Sequence, residues 1–287
     1  MGAEKAGTTF AVHYLKQHPD IFFPVIKEPQ FFAKDVMPES ADEKELWNLP
    51  KEKWNENVHI AYIRDPDLYA ELYRDAERYK YRGDASVSYL FSKVAAREIY
   101  NFNPEAKILI ILRNPVDRAL SAYKMDVTIG RVNKPFEEAI REIPRYVERS
   151  LYYEQVKRYL DTFPRENVLI LLFDDLKSDP QKFFEKIFDF LEVQPIKYSD
   201  FERKNESLKP RFPVLNYVLY KTGIKRLISK YTPKPVKDYF KKLYYGGTYE
   251  YEIDAETYNR LLEVFKSDIE KLSELIGRDL SGWLKKR

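Results

Sequence analysis

The run Lys107-Ile108-Leu109-Ile110-Ile111-Leu112 constrains the fold of this chain more than any other stretch. It is short, continuously apolar and rich in β-branched side chains, the pattern of a strand buried on both faces of a parallel sheet. It stops at Arg113-Asn114-Pro115, and a helical spacing starts at once with Val116, Leu120 and Tyr123. A strand followed directly by a helix reads as α/β. Arg113 then stands at the carboxyl end of a strand, where open α/β sheets bind ligands. Its bidentate guanidinium suits a phosphate. Ser121 follows eight residues later, and Val168-Leu169-Ile170-Leu171-Leu172-Phe173 reads as a second buried strand.

A second anion site is written at the amino end. Gly2-Ala3-Glu4-Lys5-Ala6-Gly7-Thr8-Thr9 leads into an apolar-periodic run through Phe10, Val12, Tyr14 and Leu15. Two glycines five positions apart let a loop curl with its backbone N–H groups inward, closed by a helix N-terminus. Lys5 adds a mobile positive charge, and Thr8 and Thr9 add hydroxyl donors. The ligand this predicts is a phosphate. The loop is not a Walker A sequence, because Thr8 follows Gly7 directly and the lysine lies inside the loop. A plain turn before a surface helix is the other reading.

Taken in order, the two stretches resemble the sulfotransferases that use 3′-phosphoadenylyl sulfate (PAPS). Lys5-Ala6-Gly7-Thr8-Thr9 resembles their 5′-phosphosulfate loop. Leu112-Arg113-Asn114-Pro115-Val116-Asp117-Arg118-Ala119-Leu120-Ser121 resembles their 3′-phosphate motif. The likeness is nearest to the heparan-type and bacterial branch. It implies a P-loop-like, three-layer α/β/α fold around a central parallel sheet. It also implies a strand before the first glycine, where this chain has only Met1. Either the start is truncated or the loop is anchored by its helix alone.

Composition bounds the rest. The 287 residues are 33% charged and 44% hydrophobic, enough for a sizeable core and unlike a disordered chain. A net charge of +3 does not call for nucleic acid. The chain has no cysteine, which excludes disulfides, a thiol nucleophile and thiolate metal sites. His13, His18 and His59 lack metal-ligand spacing, so no metal is expected. No apolar run approaches the ~20 residues of a membrane span, and no signal peptide is visible. The expectation is a soluble, cytoplasmic protein. Without repeats, low-complexity tracts or a linker, residues 1–287 read as a single domain.

Further candidates lie along the chain. In Lys27-Glu28-Pro29-Gln30-Phe31-Phe32 the proline keeps Glu28 out of helical geometry. A carboxylate held there beside aromatic rings suits a base of raised pKa; the other reading is a surface Glu paired with Lys27. The resemblance makes Glu28 the catalytic base. Residues 33–82 are charged, with Trp47, Trp54, Tyr62, Tyr69 and Tyr73 as either an acceptor-side cover or a core. In Gly83-Asp84-Ala85-Ser86, the catalytic lysine of the resembling branch is replaced by Ala85. Asp84 keeps an acidic position, which makes it a second catalytic candidate, for orienting substrate or acting as a base; the other reading is a turn-capping Asp. Asp174-Asp175 reads as a structural turn rather than a metal site. The stretch from Glu206 to Pro213 reads as a loop, and the resemblance lets Lys209 and Arg211 close over the 3′-phosphate and adenine. Residues 214–245 are basic and aromatic, either a solvated helical face or a contact for an anionic membrane or acidic glycan.

The function so implied is sulfuryl transfer from PAPS to an acceptor hydroxyl on a glycan, glycolipid or small metabolite, without metal, giving 3′-phosphoadenosine 5′-phosphate (PAP). Lys5 would stabilise the leaving oxygen. Backbone groups of Lys5, Ala6, Gly7, Thr8 and Thr9 would hold the 5′-phosphate, and Arg113 and Ser121 the 3′-phosphate. The alternatives are a nucleotide or small-molecule kinase with a divergent phosphate loop, and a non-catalytic PAP- or anion-binding relative.

Overall fold

The computed structural model describes every residue except 1, 39–40, 56–57, 202–207, 234–235, 237–238, 240–242, 249–250 and 286–287. Glu206 and Ser207 of the late loop, and Lys234, Lys237, Lys241 and Lys242 of the basic stretch, lie outside the described residues. In chain order the elements begin with α1 (Thr8–Leu15), β1 (Ile21–Phe22), α2 (Ala41–Lys44), α3 (Pro66–Glu71) and β2 (Tyr81–Arg82). Next come α4 (Ser88–Phe91), α5 (Ala95–Phe102), β3 (Ile108–Leu112), α6 (Pro115–Ile129), α7 (Phe136–Glu142), α8 (Arg145–Glu148) and α9 (Tyr153–Thr162). The rest are β4 (Val168–Leu172), α10 (Phe173–Ser178), α11 (Pro180–Leu191), β5 (Leu208–Pro210), α12 (Pro213–Lys221), α13 (Ile224–Tyr231), β6 (Tyr245–Thr248) and α14 (Ala255–Ile276). The chain divides into two compact units, each discontinuous in sequence.

The first unit comprises residues 1–113, 152–202 and 271–279. Its centre is β3 and β4, the two buried strands that the apolar runs predict, paired in parallel from Ile108↔Val168 to Leu112↔Leu172. Ile108, Ile110, Ile111 and Leu112 are buried, as are Phe183, Phe184, Ile187 and Phe188 on one face of α11. That α11 face follows from its 3.6-residue spacing, and the helix starts with Pro180 after Asp179, whose carboxylate accepts from Lys182 N–H at 3.0 Å. β1 and β2 form a second parallel pair, Ile21↔Tyr81 and Phe22↔Arg82. His18 serves its turn, as a polar turn residue usually does: Nδ1 accepts from Asp20 N–H at 3.1 Å.

Two expectations for this unit change. The loop after Gly2 is held by more than its helix: Ala3 N–H donates to Ile111 O at 2.6 Å, and Ile111 N–H to Gly2 O at 2.9 Å. Asp174 and Asp175 open helix α10 rather than forming a turn; acidic side chains favour a helix N-terminus electrostatically. Asp175 accepts from Arg278 at 2.7 Å, and that guanidinium holds its carboxyl below the usual carboxylate range.

The second unit comprises residues 114–151, 203–270 and 280–287. Asn114 caps α6, accepting from Val116 N–H at 3.0 Å, with Pro115 at the first helical position. Arg118, fully buried, donates to Ser150 Oγ at 2.7 Å and to Tyr146 O at 2.5 Å. α6 ends at Gly130 (φ 100), where an added Cβ would lie 2.6 Å from Asn216 O. Only glycine allows that approach. The late stretch read as a loop contains β5, paired antiparallel with β6. Asp254 caps α14, accepting from Thr257 N–H at 2.7 Å.

Candidate active site

The amino-terminal loop is built for an anion. Gly7 precedes α1 at φ 85, and an added Cβ would meet the Phe173 ring at 2.9 Å and Leu176 Cδ2 at 3.0 Å. Only a glycine supplies both the left-handed backbone and the space. Lys5 is also left-handed, at φ 67. No side chain caps α1, and its first turn holds no acidic residue. The leading N–H groups of a helix have no intrahelical acceptor, so this end is fitted to a phosphate by backbone and dipole together. Thr8 is buried and Thr9 exposed.

Arg113 belongs to the same unit and leaves β3 beside this loop. It donates to Lys5 O at 3.0 Å, and its guanidinium carbon lies 4.9 Å from the Phe173 ring centroid. Phe173 therefore supports both the glycine turn and the arginine. Of the donor-site residues predicted from sequence, the structure brings together Lys5, Ala6, Gly7, Thr8, Thr9 and Arg113 in this unit. Ser121, half-buried on α6, and Lys209 and Arg211, both exposed at β5, belong to the other unit.

Glu28 is paired with Lys27 as one reading foresaw, but it is buried rather than on the surface. The Lys27 ammonium lies 2.6 Å from Glu28 Oε1, and Oε2 accepts from Val87 N–H at 3.4 Å. The segment is held at both edges: Glu28 N–H donates to His59 O at 2.9 Å, and Ala85 N–H donates to Lys27 O at 3.3 Å. Arg64, which nothing local in the sequence singled out, donates to Gln30 O at 2.6 Å, Ala33 O at 2.8 Å and Val36 O at 2.9 Å. It fixes the turn that follows Glu28.

Asp84 ties the Glu28 loop to the segment that follows β2. Its Oδ2 accepts from Tyr89 Oη at 2.6 Å and Tyr69 Oη at 3.1 Å, and its Oδ1 from Ser86 N–H at 3.0 Å and Ser86 Oγ at 2.7 Å. Ser86 Oγ accepts from Gln30 N–H at 2.9 Å. Four donors occupy the carboxylate, yet burial outweighs them and pushes the Asp84 carboxyl above the usual range. Tyr69 and Tyr62 are buried, and Phe31 stacks on Tyr69 with centroids 4.1 Å apart, so these aromatics of residues 33–82 belong to a core. A cavity of about 430 Å³ lies between β2 and β3, with Thr8, Arg82, Asp84, Leu109 and Ile111 in its lining.

This network carries an expected result. Asp84→Asn keeps the shape and one of the two acceptor oxygens, while its NH2 can donate to a tyrosine hydroxyl, so it should fold. Asp84→Ala leaves buried hydroxyls without their acceptor and should lose about 1–3 kcal/mol. A carboxyl raised in the folded state binds its proton more tightly there than when unfolded. Its contribution is therefore present below the unfolded value and is lost as pH rises through the folded one. Asp84→Asn should flatten that part of the stability–pH curve, as denaturant melts between pH 4 and 8 would read; an unchanged curve would contradict it.

Comparison with known proteins gives a consistent picture. A family model described as "Sulfotransferase domain" matches residues 1–275. A crystal structure of a sulfotransferase from Alicyclobacillus acidocaldarius is 30% identical, with a TM-score of 0.72, covering 99% of this chain and 97% of that one. A membrane-associated sulfotransferase of Dictyostelium discoideum is 21% identical over 71% of this chain and 58% of its own length. Carbohydrate sulfotransferase 15 of Mus musculus is 23% identical over 75% of this chain and 46% of its own. The chain thus spans about half the length of these two curated relatives.

Proposed function

Because the chain belongs to the sulfotransferase family, we propose that it transfers a sulfuryl group from PAPS to an acceptor hydroxyl. The observation that carries this reading is the phosphate cradle of the first unit: an uncapped α1 behind Gly7, with Arg113 bonded to the Lys5 carbonyl. The backbone N–H groups of residues 5–9 hold the 5′-phosphate. Arg113 takes the 3′-phosphate, with Ser121, Lys209 and Arg211 assigned to the donor as well. Lys5 offsets the charge that develops on the bridging oxygen as the sulfur–oxygen bond to the donor phosphate breaks. Glu28 takes the acceptor's proton as the new sulfur–oxygen bond forms, leaving PAP and the sulfate ester. Alignment and placed positive charge supply the rate, by analogy with phosphoryl transfer.

Asp84 acts in this scheme by positioning, since its carboxylate is already engaged by four donors. The acceptor class follows the named relatives, among them carbohydrate, hydroxysteroid and heparan sulfate sulfotransferases. We assign a hydroxyl-bearing carbohydrate, glycolipid or small metabolite, in a cytoplasmic setting. A kinase reading is disfavoured by Asp175, which is committed to Arg278 rather than open to a metal.

The test is PAP release from PAPS over a panel of sugar, glycolipid and small-alcohol acceptors in the presence of a chelator. Acceptor-dependent PAP formation supports the reading. Transfer only from ATP with magnesium would replace it with a kinase, and PAP binding without turnover would replace it with a non-catalytic relative.

A further inference from the structure

In the second unit, α12 and α13 are amphipathic the wrong way round for a solvated surface. Two of their polar residues turn to the protein: Asn216, fully buried, donates from Nδ2 to Val127 O at 2.9 Å, and Lys225 Nζ donates to Ile129 O at 2.6 Å and Asn216 Oδ1 at 2.7 Å. Their apolar residues face outward. Val214 is 63% exposed, Leu215 48% and Val218 46%, positions that share one face of α12. On α13, Leu227 is 51% and Ile228 52% exposed, and Phe212, just before α12, is 58% exposed. Scattered apolar residues on a surface need no explanation, but two helices packed on each other that each carry several exposed apolar residues do.

Charge identifies what would cover that face. The sequence from Phe212 to Tyr231 carries four Lys and Arg and no Asp or Glu, a net +4 in a chain whose total is +3, so the rest nets −1. A second copy of the chain would bring one strongly positive stretch against another. An anionic bilayer offers hydrocarbon for the apolar face and a negative headgroup layer for the lysines. We propose that the α12–α13 pair is a membrane-docking surface, lying in the interface of an anionic leaflet with Phe212, Val214, Leu215, Val218, Leu227 and Ile228 toward the acyl chains. The inference stands apart from the sulfuryl-transfer reading, since it uses neither Lys5 nor Arg113.

The experiment is flotation of the full chain with vesicles of phosphatidylcholine alone or mixed with phosphatidylserine. Binding is expected only to the mixed vesicles, and it should weaken as salt is raised. The double variant Leu215→Ser/Leu227→Ser removes outward-facing side chains and should lose about tenfold in partitioning with an unchanged melting temperature. The triple variant Lys221→Gln/Arg226→Gln/Lys230→Gln should lose about 100-fold. Equal binding to both vesicle types, or no loss in the serine variant, would overturn the proposal. So would a dimer in size-exclusion that the serine variant dissolves. PAP titration of the same variants should match the parent chain, which separates this test from that of the donor site.

Discussion

Replacing Lys5 with alanine is expected to lower kcat by about 10²–10³-fold. In the transition state of the proposed transfer, negative charge grows on the oxygen that joins sulfur to the departing phosphate. A charge met by a positioned donor at that moment lowers the barrier, whereas a contact made equally in the ground state does not. Lys5 lies inside the loop, at φ 67, two residues before the glycine that opens α1. Alanine at the same position keeps a Cβ and the same backbone demand, so the substitution removes the ammonium without reshaping the loop. PAP affinity should change much less than kcat. Single-turnover rates and PAP titration on the same preparation separate the two quantities. Equal losses in both would make Lys5 a binding residue only.

Gly7→Val should cost about 2–4 kcal/mol of stability and abolish PAP binding. Two effects act together. The backbone at φ 85 is unfavourable for any side chain and worst for a β-branched one, and the new Cβ would sit 2.9 Å from the Phe173 ring. Phe173 cannot yield without disturbing Arg113, whose guanidinium lies 4.9 Å from the same ring centroid. The loop and the arginine would therefore be lost together. Against a typical total of about 5–15 kcal/mol, that cost lowers the thermal midpoint measurably. Gly7→Ala should show the same effects in smaller measure. A valine variant that melts and binds like the parent would contradict this account of the loop.

These two residues were legible in the sequence because the information is local. A glycine before an apolar-periodic run, and an arginine at the end of an apolar strand, need no distant partner to be understood. The strands β3 and β4 themselves were legible for the same reason, since each run is continuous, apolar and β-branched; their pairing came only from the structure. Asp84 was only half legible. Its acidic character in a turn could be read, but Tyr69 and Tyr89, which decide its role, come from separate elements. Arg64 was invisible because it acts through three carbonyls in a segment about thirty residues earlier, a contact with no residue-type code. β5 was hidden by its length and by Pro210, and its partner Tyr245–Thr248 includes two glycines that weaken any strand pattern. The outward apolar face of α12 was likewise obscured, because periodicity shows that a helix has two faces but not which one the protein covers.

The most direct test of the donor site is calorimetric titration of PAP, without magnesium, into the parent chain and its Arg113→Ala form, with ATP as control and circular dichroism confirming that both are folded. The account predicts metal-independent binding of PAP by the parent, weaker binding of ATP, and a loss of about 10–150-fold in the variant, the worth of a charge-assisted hydrogen-bonding arginine. PAP binding that survives Arg113→Ala unchanged, or a parent that prefers ATP with magnesium, would contradict it.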